Sequence, residues 1–208
     1  MSDAVIVLFT YAIGSIPFAY LLSLRTGIDL RQHGSRNLGA RNAFEVTKRK
    51  DIGVSVLVLD VLKGLLPALL LDRYLDEPSV LPLALVALVL GHCYPIWLRF
   101  HGGRGLATAA GILLIASPIV LAAWLAAYFL AKVITSNVHV RTVIALCVSA
   151  LVTILLSDES AWRVIYLFRS YEHFGIISLQ AALLLIILVI ATRHIEPLLT
   201  LRSARERA

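Results

Sequence analysis

Residues 91–108 read GHCYPIWLRFHGGRGLAT: one hydrophobic segment ends, a short basic loop follows, and a second apolar segment begins. The turn between them is Gly102, Gly103, Arg104, Gly105, three glycines around one permanent positive charge. Glycine accepts φ > 0 and has no side chain to screen its N–H, so such a loop lets backbone donors converge on an oxyanion while arginine neutralises it. Arg104 stands just ahead of the next helix, whose first N–H groups and dipole also favour an anion. His92, Arg99 and His101 supply further donors nearby. The alternative is that the glycines only turn the chain between two spans and the arginines hold that turn at the cytoplasmic face.

The chain around this loop is 59% hydrophobic and 15% charged over 208 residues, with mean hydropathy +0.86. A soluble domain of this size does not carry so much apolar sequence, so the composition implies an integral membrane protein. The amino terminus lacks a basic region and Asp3 precedes the first apolar run, which is therefore expected to be retained as a span. Cys93 and Cys147 form no metal-type pattern and suggest no disulfide framework. A net charge of +6 invites a nucleic-acid reading, but in a membrane protein positive charge is first a topology signal.

Hydrophobic segments fall at 4–24, 53–71, 79–98, 105–117, 118–131, 142–157 and 175–192, read against an apolar layer of about 30 Å. Ser117-Pro118 divides a stretch too long for one ordinary crossing; without that division the count drops from seven spans to six. With seven, fifteen of the nineteen Lys and Arg residues lie in 25–52, 99–104, 132–141 and 193–208, all on one side. Only Arg73, Arg163 and Arg169 fall opposite, and Lys63 lies inside the second span. The positive-inside rule then places the amino terminus outside and the carboxyl terminus in the cytoplasm. The expected architecture is all-α: a single polytopic helix bundle over 1–208 with seven transmembrane helices.

The first span contains Gly14-Ser15 and Pro17, which permit close helix contact or a bend. The loop after it holds Gly34-Ser35-Arg36-Asn37 and Gly39-Ala40-Arg41-Asn42. Glycines free the backbone while serine, asparagine and arginine donate to an oxyanion, so this is a second candidate phosphate cradle. A positive-inside loop lying on anionic lipid explains its arginines but not its glycines and asparagines. The second span carries Asp60 and Lys63, at i and i+3 on one helix face, either as an ion pair between helices or as the lining of a charged pocket. Ser136, Asn137, His139 and Arg141 return to the cytoplasmic side, and the stretch 157–174 alternates charged and aromatic residues as an interfacial segment does. No repeat, Cys/His metal cluster, nucleophile elbow or GxxxxGK[ST] fingerprint occurs, so neither a metal nor an NTPase activity is expected.

Three stretches, GSRNLGARN at 34–42, DVLKG at 60–64 and GHCYPIWLRFHGGRGLAT at 91–108, resemble in order, spacing and sidedness the signatures of the PlsY-type acyl-phosphate:glycerol-3-phosphate acyltransferases. The resemblance extends to GSIPFAYLL in the first span and Arg193-His194 after the last, and so covers nearly the whole chain. It implies an enzyme of the bacterial inner membrane with a cytoplasmic active site. That enzyme moves an acyl chain from acyl phosphate to the 1-hydroxyl of glycerol 3-phosphate, giving lysophosphatidic acid and phosphate. It implies no cofactor, no metal, no nucleic acid, and membrane lipid as the surrounding partner; oligomeric state stays open. The implied catalytic residues are His92, Arg104 and His194. Ser35, Arg36, Asn37, Gly39, Arg41, Asn42, Lys63, Gly102, Gly103, Gly105 and Thr108 are the implied phosphate- and substrate-binding set, with Asp60 and Lys63 as a structural charge pair. His92, His194 and the leaving phosphate itself remain candidates for the proton acceptor.

The chain departs from the family pattern at polar positions. Glu45 stands where an arginine is usual, Arg104 replaces the lysine of GGKG, and Pro197 replaces an asparagine; His139 replaces a serine. A carboxylate at a phosphate-binding position repels the substrate, although Arg41 can supply charge from the neighbouring turn. The opposing expectation is a noncatalytic membrane protein that binds anionic lipid or a partner enzyme, or an acyltransferase with another phosphorylated acceptor.

Overall fold

Five helical stretches in the computed structural model are long and apolar enough to cross a membrane: Asp3–Leu24, Lys50–Tyr74, Leu81–Leu98, Val138–Leu155 and Leu179–Leu199. Two shorter apolar helices, Leu106–Ala116 and Pro118–Val133, lie between the third and the fourth. Residues 2–75, 78–155 and 171–205 are described, and the regular elements among them are all helical. In chain order the α-helices are α1 Asp3–Gly14, α2 Phe18–Leu24, α3 Ala40–Thr47, α4 Lys50–Tyr74, α5 Leu81–Cys93, α6 Leu106–Ala116, α7 Pro118–Leu130, α8 Val138–Leu155 and α9 Tyr171–Arg205. The interfacial segment expected at 157–174 falls mainly outside the described residues.

The division at Ser117-Pro118 is real: α6 stops at Ala116 and α7 begins at Pro118, with Ser117 Oγ accepting from the Val120 N–H at 3.4 Å. The proline has no N–H to lose at a first helical position, and the serine caps one that would otherwise be bare. The first apolar segment, by contrast, is not continuous. Pro17 cannot donate into the ladder and restricts Ile16, so the chain leaves the helix after Gly14 and resumes it at Phe18. That break frees two carbonyls inside the bundle. Trp97 Nε1 donates to the Ser15 carbonyl at 2.9 Å, and Lys63 Nζ donates to the Ile16 carbonyl at 2.9 Å.

Glycines set the closest helix crossings. A Cβ on Gly64 would collide with the Thr108 carbonyl, and one on Gly111 with the Val61 carbonyl, so α4 and α6 meet backbone to backbone at two reciprocal points. The main core then fills in around α5, with Leu85, Leu88 and Val89 packed against Ile112, Leu183 and Ile186. A second core lies under the basic loop: Leu30 and Leu38 are buried with Ala19, Ala43, Ile52 and Val56. The loop is thus folded onto α2 and α4 and contains a helix of its own, α3, rather than lying loose at the surface. Outside, Leu8, Leu70, Phe129, Leu130 and Leu151 are each more than half exposed, an apolar exterior that suits lipid.

Gly64→Leu is expected to destabilise the bundle by more than about 1–3 kcal/mol, since the obstacle is backbone and cannot rotate away. Gly27, at φ 77° with open space around it, should tolerate alanine at a cost of about 1–2 kcal/mol. Thermal unfolding in detergent compares the two; equal losses would mean that α4 and α6 do not cross here.

Candidate active site

The charges of α4 are the deepest part of the site. Asp60 Oδ1 and Lys63 Nζ are 2.9 Å apart with side chains 3% and 4% exposed. One helical turn separates them, so the i, i+3 spacing produces the pair directly. Lys63 also donates to the Ile16 carbonyl and lies 5.4 Å from the Phe18 ring centroid. His92, near the end of α5, brings Nδ1 to 3.7 Å from Asp60 Oδ1, too long for a hydrogen bond. Its Nδ1 has no protein partner. Ser15, Ile16, Phe18, Leu38, Gly102 and Gly103 close a small cleft over these groups, with about 200 Å³ of space between atoms.

The glycine loop is held tightly against the end of α5. The Gly102 N–H donates to the Cys93 carbonyl at 3.1 Å and the Gly103 N–H to the His92 carbonyl at 3.0 Å. This corrects one expectation: these two N–H groups cap a helix C-terminus and do not point free into a phosphate cradle. The glycines are required for proximity instead. A Cβ on Gly103 would strike His92 Nε2 and sit 2.9 Å from the Leu38 carbonyl, so the loops 34–42 and 102–105 meet at this residue, as their shared side had implied. Gly105, at φ 83°, is the N-cap residue of α6. From the last helix, Arg193 Nε and Nη2 donate to the carbonyls of Gly103 and Gly102, each at 3.2 Å. The loop is therefore bonded on both edges.

Beyond the loop lies a second polar cluster. His194 is buried, and its Nδ1 lies 3.0 Å from the Ile190 carbonyl. A carbonyl only accepts, so Nδ1 carries the proton and Nε2 keeps its lone pair. The His139 and His194 rings stand edge to face at 5.5 Å between centroids. Arg104 lies close enough for its charge to act on both rings, and Arg41 close enough to act on His139. His139 Nδ1 and the buried Thr108 Oγ1 have no protein partner.

The first glycine loop divides into organisers and exposed donors. Asn42 is buried and wholly engaged: its Oδ1 accepts from the Ser35 N–H at 2.9 Å, and its Nδ2 donates to the His33 and Asn37 carbonyls at 3.3 and 3.0 Å. Asn42 shapes the loop and has no donor left for a ligand, which corrects its expected role. Gly34 at φ 61° and Arg36 at φ 56° supply the left-handed turns that Asn42 fastens. Ser35 and Arg36 are exposed, Gly39 is the N-cap residue of α3, and Asn37 Oδ1 is buried without a partner. Arg41 Nε lies 2.7 Å from Glu45 Oε1, so the carboxylate at the position of departure is neutralised within its own helix, and Arg41 is engaged in doing so. Pro197 lies inside α9, which continues through it.

Sequence reasoning missed Arg193 as a loop clamp and Ile16 as a lysine acceptor. Arg193 had a signal, its place in the Arg193-His194 pair; the Ile16 carbonyl had only Pro17. Among the described residues no three His, Cys, Asp or Glu side chains converge as metal ligands.

Comparison with known proteins follows the same lines. The family model for glycerol-3-phosphate acyltransferase matches residues 4–203. The glycerol-3-phosphate acyltransferase of Thermotoga petrophila is 34% identical over 199 residues, covering 95% of this chain and 91% of its own. That of Bacillus velezensis is 35% identical over 178 residues, covering 83% and 91%. The crystal structure of PlsY (YgiH), an integral membrane glycerol 3-phosphate acyltransferase, superposes in its glycerol 3-phosphate form with TM-score 0.79 at 29% identity, over 99% of this chain and 94% of that one. Its lysophosphatidic acid form superposes with TM-score 0.78 at 28% identity.

The buried pair is directly testable. Asp60→Asn or Lys63→Met alone leaves one uncompensated buried charge and should cost about 3–5 kcal/mol, whereas the double variant should cost less than the sum. Additive losses in folded yield and thermal stability would show that the two side chains do not interact.

Proposed function

From the premise that this chain belongs to the glycerol-3-phosphate acyltransferase family, as a multi-pass membrane protein of the PlsY type, we propose that it acylates glycerol 3-phosphate, with acyl phosphate as the donor and lysophosphatidic acid and inorganic phosphate as products. The observation that carries the reading is where bare polar atoms collect. Among the described residues, buried side-chain atoms of Asn37, His92, Thr108 and His139 lack hydrogen-bond partners and belong to the two glycine loops and the helix ends beside them, while Ser23 Oγ on α2 and Trp124 Nε1 on α7 are bare elsewhere. Unpaired buried polar atoms are costly, so a cluster of them among cations suits a polar, anionic ligand.

The chemistry needs no protein nucleophile. The 1-hydroxyl of glycerol 3-phosphate attacks the carbonyl carbon of the mixed anhydride, a new ester C–O bond forms, and the bond from carbonyl carbon to phosphate oxygen breaks. The hydroxyl proton passes to the departing phosphate or to an imidazole, for which His194 Nε2 has the free lone pair and His92 is the other candidate. Arg104, with Lys63 and Arg36, offsets the charge of two phosphates meeting in one place, and Arg41 joins them only where it leaves Glu45. Ser35, Asn37 and Thr108 add neutral donors, while Gly39, Gly102, Gly103 and Gly105 allow close approach.

The same reading assigns residues 1–208 to one membrane domain with seven crossings, the amino terminus outside, and the site open to the cytoplasm at a bacterial inner membrane. The fifteen-to-three charge asymmetry supports this orientation. A cysteine placed at Ser35 or His101 should react with an impermeant reagent from the cytoplasm, and one at Ser160 from the opposite side. Labelling of both from one side would contradict seven crossings.

Purified protein given acyl phosphate and glycerol 3-phosphate should release phosphate and form lysophosphatidic acid in equal amounts. Binding without turnover would instead assign a noncatalytic role in holding anionic lipid or a partner. Arg104→Ala should lower turnover roughly 10- to 150-fold, the loss of a contact of ~1.5–3 kcal/mol, and Arg104→Lys should retain more. Glu45→Arg should raise affinity for glycerol 3-phosphate, because it adds a cation and releases Arg41. An unchanged or lower affinity, with phosphate release still dependent on Arg104, would mean that the acceptor is another molecule.

A further inference from the structure

The stretch Leu81–Leu98 is long and apolar enough to cross a membrane, and the chain that leaves it turns back at once. Arg99 and Phe100 stand at φ 51° and 63°, two successive side-chain-bearing residues in the left-handed region. The Phe100 N–H donates to the Pro95 carbonyl at 3.0 Å and the His101 N–H to the Leu98 carbonyl at 3.1 Å. This reversal is what lets Gly102 reach the Cys93 carbonyl. A bulky left-handed residue is strained, where glycine would take the same conformation freely. Burial within the protein does not compensate for the strain, because Phe100 is 55% exposed, with Ile96 at 58% and Trp97 at 54%. Only Leu98 of this turn packs inward, against the core of Leu30 and Leu38 under the basic loop.

The charges beside the turn are one-sided. Each carboxylate of residues 25–52 is taken by an arginine of the same segment: Asp29 by Arg31, Glu45 by Arg41 and Asp51 by Arg49. Arg25, Lys48 and Lys50, with Arg99 on the turn itself, are exposed and have no carboxylate partner among the described residues. Surplus cations beside outward-facing aromatic rings, at the end of a membrane-length helix, have the composition of a bilayer interface.

We propose that the turn 96–101 and the basic surface beside it dock on the anionic headgroups of phospholipids. Ile96, Trp97 and Phe100 sit at the acyl boundary, Arg99 meets headgroup phosphate, and the contact holds the reversal from which the glycine loop starts. An acidic soluble protein would also meet the cations. Ile96 and Trp97, however, belong to the membrane-length stretch itself, so lipid already lies against them. The consequence for turnover rests on the acyl-transfer reading above; the docking surface does not.

Trp97 reports on the contact. Protein carrying Trp124→Phe and Trp162→Phe, which leaves Trp97 as the sole tryptophan, is reconstituted in mixtures of brominated phosphatidylglycerol with ordinary phosphatidylcholine, and in the reverse mixtures. Quenching then measures which headgroup lies beside residue 97. A preference for phosphatidylglycerol of about fivefold is expected from Arg99 alone, falling towards parity when Arg99→Gln is added. Salt at about 1 M, where the Debye length is about 3 Å, should remove the preference without that substitution. Parity in the starting protein would overturn the proposal. Quenching of Trp97 by aqueous iodide and by neither brominated lipid would also overturn it, and would point to a soluble acidic partner.

Turnover of the unaltered protein is then compared in nanodiscs of phosphatidylglycerol and of phosphatidylcholine. A several-fold higher rate in the anionic lipid is expected, and Phe100→Ser should lose most of that difference. Equal rates in both lipids would overturn the link between the turn and the glycine loop. No turnover in either, with the headgroup preference at Trp97 intact, would overturn the acyl-transfer reading and leave the docking surface standing.

Discussion

A buried ammonium tied to a freed carbonyl is the constraint on which the rest of this structure depends. Backbone polar groups inside a bilayer must find partners within the protein, and Pro17 denies the first apolar segment a continuous ladder. Lys63 meets the Ile16 carbonyl released by that break, and Asp60 meets Lys63. Three elements, α1, α2 and α4, are joined at one point that tolerates neither lipid nor an unpaired charge. Because Trp97 binds the Ser15 carbonyl of the same break, the segment leading to the glycine loop is anchored there too.

The glycine loop inherits its position from this anchor and from the last helix. Its first two N–H groups cap α5 and its carbonyls receive Arg193. The residue that follows, Arg104, lies close enough for its charge to act on the rings of His139 and His194. With those N–H and carbonyl groups bonded, the loop is a fixed turn more than a row of free amide donors. The charge at Arg104 is then fixed in space by parts of the chain that are far apart in sequence, which is the condition for electrostatic preorganisation.

What the sequence discloses about this arrangement follows the range of each interaction. Asp60 and Lys63 pair because three residues on a helix make one turn, and Ser117-Pro118 separates two helices because proline begins a helix more readily than it continues one; both are local rules. The meeting of the two glycine loops was also legible, since sidedness follows from charge bias and three crossings. The fate of each donor was not. Asn42 looks like a free amide until its own loop closes around it, and Gly102 and Gly103 look like a cradle until α5 ends beneath them. Arg193 reaches across 90 residues to Gly103, a contact that no spacing rule encodes. Glu45 reads as a repulsive charge in isolation, yet one turn back stands Arg41, and the pair forms.

Amide hydrogen exchange over the peptide 99–106, with and without glycerol 3-phosphate, tests this account most directly. Slow exchange at Gly102 and Gly103 in the free protein is predicted, because both amides are already bonded to α5, with added protection on ligand binding confined to the Arg104–Gly105 side and to the 35–37 turn. Rapid exchange at Gly102 and Gly103 that slows only when glycerol 3-phosphate is added would contradict it, since those amides would then be the cradle and Arg193 would not hold the loop.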